Sequence, residues 1–309
     1  MLTPQLLYIL SAGRSGSTLI DMVLGGNEGI VSVGEFHRLS LYAREAELCT
    51  CGTSVADCPF WTEVAKSAAE LFGADESPAQ TLCQNEVMLR GEKIGRFRNL
   101  IQMGLLSSKL TLPWMLASPL VGREYVRSIK NSWVWLQAIA QVTNCRTVIE
   151  STKDVRRLKL YYLSNPKRVR VLHLTRDGRA VAASAMRRTG CSMEKAAGDW
   201  RRKNHRISLV LRGIPRQFIC SVRYEDFCTN ATIETSRILE FLGEFGQVPS
   251  IGLRKTESHN IGGNPMRFDH NVTDITLDTR WRDQLSPAEL KTFRTVAGRM
   301  NDALGYPID

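Results

Sequence analysis

The chain has 309 residues, 43% of them hydrophobic and 23% charged, which is ordinary globular usage and excludes a disordered chain, a collagen or a small disulfide scaffold. The length suits one large α/β domain or two small ones, and no run approaches the ~20 apolar residues of a membrane span. Lys and Arg number 41 against 31 Asp and Glu, a net charge of +10 that suits an anionic ligand, nucleic acid or an anionic surface without choosing among them.

The opening MLTPQLLYIL has neither a basic n-region nor a small-residue cleavage site, so no cleaved leader is expected and a cytoplasmic location is. Residues 6–10 (LLYIL) are a continuous apolar run bounded by Ser-Ala-Gly, the pattern of a buried parallel strand. Gly13-Arg14-Ser15-Gly16-Ser17-Thr18 follows, after which Leu19, Met22 and Val23 share a helical face. Strand, Gly/Ser turn and helix open a doubly wound unit. A second strand, Ile30 to Val33, leads into Gly34-Glu35-Phe36-His37. Residues 39–112 read as mostly helical, residues 111–119 hold two prolines that end a helix, and 124–142 read as a long amphipathic helix. Strands return at 147–149, 168–174 and 218–222, each running into a polar junction. These junctions are Ser151-Thr152-Lys153-Asp154, Thr175-Arg176-Asp177-Gly178-Arg179 and Arg223-Tyr224-Glu225-Asp226. A helix around 234–242, a turn cluster at 259–265 (HNIGGNP) and a terminal helix opened by Ser286-Pro287-Ala288-Glu289 complete the chain. That last start has an N-cap serine, an N1 proline and a capping-box glutamate. With no repeat or low-complexity linker, the economical organisation is one domain over 1–309 with a helical insertion at about 39–120, after the second strand.

A strand that feeds a Gly/Ser turn into a helix makes an anion site, because backbone N–H groups converge where the helix dipole adds partial positive charge. The nucleotide-triphosphatase loop GxxxxGK[ST] needs a lysine directly before its Ser/Thr. Here Ser17 follows Gly16, and the cation sits earlier, at Arg14. In an open parallel sheet ligands bind beyond the carboxyl ends of the strands, and those ends carry Arg14, Glu35, Lys153, Arg176 and Arg179. Four cations and one carboxylate at one sheet edge describe a polyanion site beside a candidate base.

At these residues the chain resembles the 3′-phosphoadenosine 5′-phosphosulfate (PAPS)-dependent sulfotransferases, above all bacterial members related to the tyrosylprotein and carbohydrate enzymes. Arg14-Ser15-Gly16-Ser17-Thr18-Leu19 resembles the family's 5′-phosphosulfate loop. Arg176-Asp177-Gly178-Arg179-Ala180, with Ser184 eight positions after Arg176, is similar to its 3′-phosphate motif. Glu35 stands about where the family has its catalytic glutamate, and Ser151-Thr152-Lys153-Asp154 resembles the segment that supplies its catalytic lysine. Arg223-Tyr224-Glu225-Asp226 is similar to the RYED segment, residues 259–268 (HNIGGNPMRF) to a cofactor-covering loop, and the CTCG…CPFW cluster at 49–61 to one in the bacterial group. The matches run from residue 7 to about 285, and their order and spacing make the combination specific.

The resemblance implies an α/β, P-loop-like doubly wound parallel sheet flanked by helices. It implies sulfuryl transfer from PAPS, leaving PAP, with Ser15, Gly16, Ser17 and Thr18 around the 5′-phosphate and Arg14 and Lys153 at the phosphate–sulfate bridge. Such transfer is mostly positioning and charge neutralisation, so no metal is expected if the chain supplies the charges. Arg176 and Ser184 are expected to hold the 3′-phosphate, whereas Arg176 paired with Asp177 or Asp154 would instead be structural. Tyr224 and Arg267 are candidates either to line the cofactor or to pack. Arg179 reads as structural, and Asp177 as the residue that orients the turn.

Glu35 is the candidate general base for an acceptor hydroxyl. His37 is its rival, on the same side if the strand continues to it. Cys49-x-Cys51-x6-Cys58, with Cys83 as a possible fourth ligand, has the residues of a zinc site, but the C-x-C spacing is tight and the nearby histidine is His37. Buried thiols in a helical insertion are therefore the expectation, and no metal is assigned. A small-molecule P-loop kinase and a nucleic-acid or polyanion binder are the competing readings. The first lacks its lysine, and the second leaves Glu35 unexplained. The acceptor is expected to be a small molecule, glycan or lipid bearing a hydroxyl.

Overall fold

The central strand is β1, Gln5–Ser11. Alternate side chains go to opposite faces of a strand: Leu6, Tyr8 and Leu10 enter one core, Leu7 and Ile9 the other, and all five are buried. Covering both faces is what makes the run continuously apolar. This computed structural model describes residues 3–84, 87, 122–253, 258–269 and 274–307. The other strands are β2 (Ile30–Ser32), β3 (Thr147–Glu150), β4 (Val169–Thr175) and β5 (Ile219–Arg223). All pair in parallel, in the order β2-β3-β1-β4-β5. Register sets Tyr8 opposite Glu150 and Ser11 opposite Leu174, so the loops after β3 and β4 flank the loop after β1.

Helices α1 (Ser17–Gly25), α2 (Leu39–Arg44), α3 (Pro59–Phe72), α4 (Pro78–Gln84) and α5 (Gly122–Thr143) lie between β1 and β3 in sequence. Of the expected insertion, α2, α3 and α4 fall within the described residues, and the proline-rich stop at 111–119 lies outside them. After β3 come α6 (Val155–Ser164), then β4, α7 (Gly178–Thr189) and α8 (Met193–Leu211). Beyond β5 follow α9 (Tyr224–Thr229), α10 (Ala231–Leu242), α11 (Trp281–Gln284) and α12 (Pro287–Ala303). The capping box at Ser286 and Glu289 forms as its sequence implies. One sheet face is covered by α3, α5 and α6, the other by α1 and α10, while α7, α8 and α12 build a third cluster around Trp200 and Phe293. Among the described residues, no helix is long and apolar enough to cross a membrane.

One expectation about a strand end fails here. β2 stops at Ser32 and a 3₁₀ turn, Phe36–Arg38, follows. Glu35 and His37 therefore do not share a strand face.

Candidate active site

The C-terminal ends of β1, β3 and β4 open into a cleft of about 1000 Å³ lined by Arg14, Glu35, Lys153, Arg176 and Ser184. Gly16 precedes α1 with φ of 85° and gives the helix no side-chain cap, leaving its first N–H groups for a ligand. A Cβ at Gly16 would meet the Tyr224 ring at 2.3 Å, so the loop admits no side chain at that turn. Ser17 and Thr18 line the cleft, and Ser15 is buried beneath it rather than lining it. Thr18 Oγ1 accepts a hydrogen bond from the Asn264 N–H at 3.2 Å, which ties the loop to a distant segment.

Arg14 and Lys153 both adopt the left-handed backbone conformation, with φ of 67° and 66°. This conformation costs a side-chain-bearing residue about 1–2 kcal/mol, and such strain gathers at functional sites. The Lys153 turn is pinned from below. Lys203 Nζ donates to the Lys153 carbonyl at 2.6 Å, and the Tyr8 hydroxyl donates to the Asp154 carbonyl at 2.9 Å while accepting from its N–H at 3.0 Å. Burial, followed by the like charges of Arg188 and Arg187, pulls the Arg14 guanidinium below its ordinary value. An anion in the cleft would relieve that crowding.

Glu35 also lines the cleft, its Oε1 2.8 Å from Lys153 Nζ. Burial pushes its carboxyl up, but Lys153, with His37 and Arg38, outweighs this and holds it below its ordinary value. Its backbone N–H donates to the Ile261 carbonyl at 2.7 Å, and Gly34, with φ of 70°, lets Ile261 come close enough to bridge. Neighbouring His37 is not among the cleft-lining residues, and its N–H reaches Thr152 Oγ1 at 3.4 Å. Thr152 is in turn bonded to Glu150, which is buried against Arg157 at 2.6 Å.

Arg176 pairs with neither Asp177 nor Asp154. Its guanidinium lies 3.3 Å from Asp278, stacks 4.3 Å from the Tyr224 ring centroid and donates to the Arg14 carbonyl at 3.2 Å, while its buried Nε has no hydrogen-bond partner. The turn that presents it is held by Glu225, which accepts from the Asp177 N–H at 3.0 Å and from the Tyr306 hydroxyl at 2.7 Å. Asp177 caps α7 and engages Arg179 at 2.8 Å. Arg179 is therefore structural, and the expectation of four strand-end cations in the site reduces to three: Arg14, Lys153 and Arg176. Tyr224 and Arg267 both line the cleft and both are buried, so each packs and presents at once. Arg267 donates to the Leu48 carbonyl at 3.1 Å, and its Nε has no partner.

Sequence reasoning missed Arg187 and Arg188, which line the cleft beyond Ser184. The signal was there, since residues three and four apart share a helical face. Asp278 and Arg280 arrive from a remote segment with no motif to flag them. The cysteines need a correction as well. Cys83 is not with Cys49, Cys51 and Cys58, and the histidine that joins them is His259, not His37.

A profile described as "Sulfotransferase family" matches residues 5–245. No curated protein matches the chain by sequence. Among solved structures, the sulfotransferase domain of the Synechococcus PCC 7002 olefin synthase is similar at 19% identity and a TM-score of 0.58, over 100% of this chain and 98% of that one. The sulfotransferase domain from the curacin biosynthetic pathway is similar at 17% identity and a TM-score of 0.52, over 99% of both chains. Likenesses at that identity show the fold, a parallel sheet of the P-loop-like kind. The profile decides among the three readings of the sequence and sets aside the kinase and the polyanion binder. The chain belongs to the sulfotransferase family, enzymes of sulfuryl transfer.

Proposed function

We propose that the enzyme moves a sulfuryl group from PAPS to a hydroxyl of a small-molecule, glycan or lipid acceptor by in-line displacement. The observation that carries this is the Glu35–Lys153 contact at 2.8 Å, facing the uncapped start of α1 across one cleft. A carboxylate and cations on either side of one point are what an attacking hydroxyl and a departing phosphate require. The cleft also fits the donor: it has an uncapped helix start for a 5′-phosphate and, farther along, a buried guanidinium with an unpartnered Nε for a 3′-phosphate.

In this reading the N–H groups of residues 15–18 and the hydroxyls of Ser17 and Thr18 hold the 5′-phosphate. Arg14 and Lys153 meet the charge that gathers on the bridging oxygen. Arg176 and Ser184 hold the 3′-phosphate, and Tyr224 and Arg267 wall the nucleotide. Glu35 takes the acceptor proton as the oxygen–sulfur bond forms. Because Arg14, Lys153 and Arg176 supply the positive charge, the transfer itself needs no metal. None of the eight cysteines, all among the described residues, forms a disulfide, which suits the reducing cytoplasm where we place the enzyme.

Incubation with PAPS labelled in its sulfuryl group and a metabolite extract tests the reading: label should move to the sulfate ester of a hydroxyl-bearing acceptor, and PAP should bind equally with and without added magnesium. No transfer to any extract fraction, together with no thermal stabilisation by PAP, would overturn it.

A further inference from the structure

Three cysteines and one histidine that the transfer chemistry does not use converge beside the active site. Cys49, Cys51 and Cys58 lie between α2 and α3, and His259 arrives 201 residues after Cys58. The Cys49 and Cys58 sulfurs are 3.7 Å apart and those of Cys51 and Cys58 3.6 Å, while His259 Nδ1 lies 3.4 Å from Cys58 Sγ and 3.8 Å from Cys49 Sγ. All four ligand atoms fall within 4.8 Å of one another.

A tetrahedron with Zn–S of about 2.3 Å and Zn–N of about 2.0 Å has S···S edges near 3.8 Å and S···N edges near 3.5 Å. The observed distances match those edges. They are far too long for a disulfide, whose S–S bond is about 2.05 Å. We propose that Cys49, Cys51, Cys58 and His259 form a structural Cys₃His zinc centre that fastens the 259–267 segment to the start of the helical insertion.

The surroundings are built as outer partners of a metal site are. Phe60 stacks on the His259 ring at 4.6 Å and 5°, and Trp61 Nε1 donates to the His259 carbonyl at 3.2 Å. Thr50 bonds the next carbonyl, Asn260, through both its N–H at 3.1 Å and its hydroxyl at 2.9 Å. The Gly52 N–H donates to the Cys49 carbonyl at 2.9 Å and closes a tight turn over residues 49–52 that holds Cys49 and Cys51 in one cluster, so the narrow C-x-C spacing is no obstacle. Cys58 is the N-cap of α3, a position where the helix dipole favours a thiolate. Closed, four-ligand sites of Cys and His are structural zinc sites, and soft thiolates select zinc over magnesium or calcium. Binding displaces the thiol protons to solvent, and no electron moves.

The centre's position gives it work to do. Two residues after His259, Ile261 bridges Gly34 beside Glu35, and Asn264 holds Thr18 of the phosphate loop. The same strap carries Arg267 to the cleft. Zinc would therefore keep the covering segment in place while remaining outside the chemistry. This consequence rests on the proposed PAPS reading, whereas the metal site itself does not.

The test is elemental analysis of the full chain purified under reducing conditions from zinc-supplemented culture, where about one zinc per chain is expected. Cobalt(II) exchanged into the wild-type protein should give the visible bands and thiolate charge transfer of a tetrahedral sulfur-rich site. His259→Ala and Cys51→Ser should each lose most of the metal, and the cobalt spectrum of the wild type keeps the question answerable if either folds poorly. A chain with less than about one-tenth zinc and no cobalt charge transfer would overturn the centre, as would a native Cys51–Cys58 or Cys49–Cys58 disulfide found by peptide mapping. None of these readouts depends on sulfuryl transfer, so failure of the donor reading would leave them intact.

Discussion

Glu35 Oε1 and Lys153 Nζ are 2.8 Å apart, joining the ends of β2 and β3 across the place where a hydroxyl would have to lose its proton. Each group restrains the other: the lysine keeps the carboxylate ionised, and the carboxylate keeps the lysine aimed into the cleft. In the proposed reaction Glu35→Gln retains size but cannot take a proton, so turnover should fall by about 10²–10⁴-fold. PAP affinity measured by calorimetry should not weaken, because Lys153 is released rather than removed. His37→Asn should be mild, since His37 is held in the 3₁₀ turn and does not line the cleft. A silent Glu35→Gln beside an inactive His37→Asn would transfer the base to His37.

The same pair fixes a pH dependence. Burial raises the Glu35 carboxyl, and the nearby cations more than offset it, leaving it below the ordinary 4.5. The base is therefore ionised throughout the neutral range, and kcat/KM should show no acid limb from Glu35 between about pH 5.5 and 7.5. Lys153→Met removes the largest opposing charge, so the limb in its residual activity should move upward. A wild-type limb near the ordinary histidine value of about 6.5 that disappears in His37→Asn would point to His37 instead.

Arg176 faces Asp278 at 3.3 Å and carries a buried Nε without a partner, which suits a doubly charged ligand better than one carboxylate. Arg176→Ala should weaken PAP by about 10-fold or more, the worth of a charge-assisted phosphate contact of 1.5–3 kcal/mol. Adenosine 5′-phosphosulfate, which has no 3′-phosphate, should lose little. Equal losses for both ligands in parallel titrations would remove the 3′-phosphate assignment.

Much of this architecture was legible because its signals are local. The five strands announce themselves as short apolar runs, since burial on both faces leaves no polar alternation to interpret, and the residues that leave them are those that line the cleft. Arg14, Glu35, Lys153 and Arg176 were found on that logic. The failures have two physical causes: local caps and turns that redirect a side chain, and contacts between segments far apart in the chain. Arg179 sits in the right motif, but Asp177, two residues earlier, captures it as the cap of α7. His37 would have faced the site had β2 continued, but its chain turns into a 3₁₀ helix after Glu35. His259 and Asp278 reach their partners from loops whose course no spacing in the sequence encodes.

Asp21 shows how such remote contacts set stability, and it yields the last prediction. It is buried in α1, where it accepts hydrogen bonds from Ser32 at the end of β2, from Ser151 after β3 at 3.0 Å and from Asn260 of the covering segment at 3.4 Å. Burial dominates the Ser32 and Ser151 hydrogen bonds and the nearby Lys153 charge, and raises its carboxyl from 3.8 to about 6. The folded protein thus holds this proton when the unfolded chain has already lost it. A raised folded-state value contributes stability that is complete below 3.8 and disappears as pH climbs through about 6. Asn at this position does not titrate. The Tm of Asp21→Asn relative to wild type should therefore become more favourable between pH 5 and 7, by about 1 kcal/mol or roughly 2 °C. Thermal melts of the two proteins in matched buffers check this, and only their difference matters, because every other titrating group cancels. A difference that is flat, or that shrinks toward pH 7, would mean Asp21 is already ionised at pH 5 and that its donors and the Lys153 charge outweigh its burial.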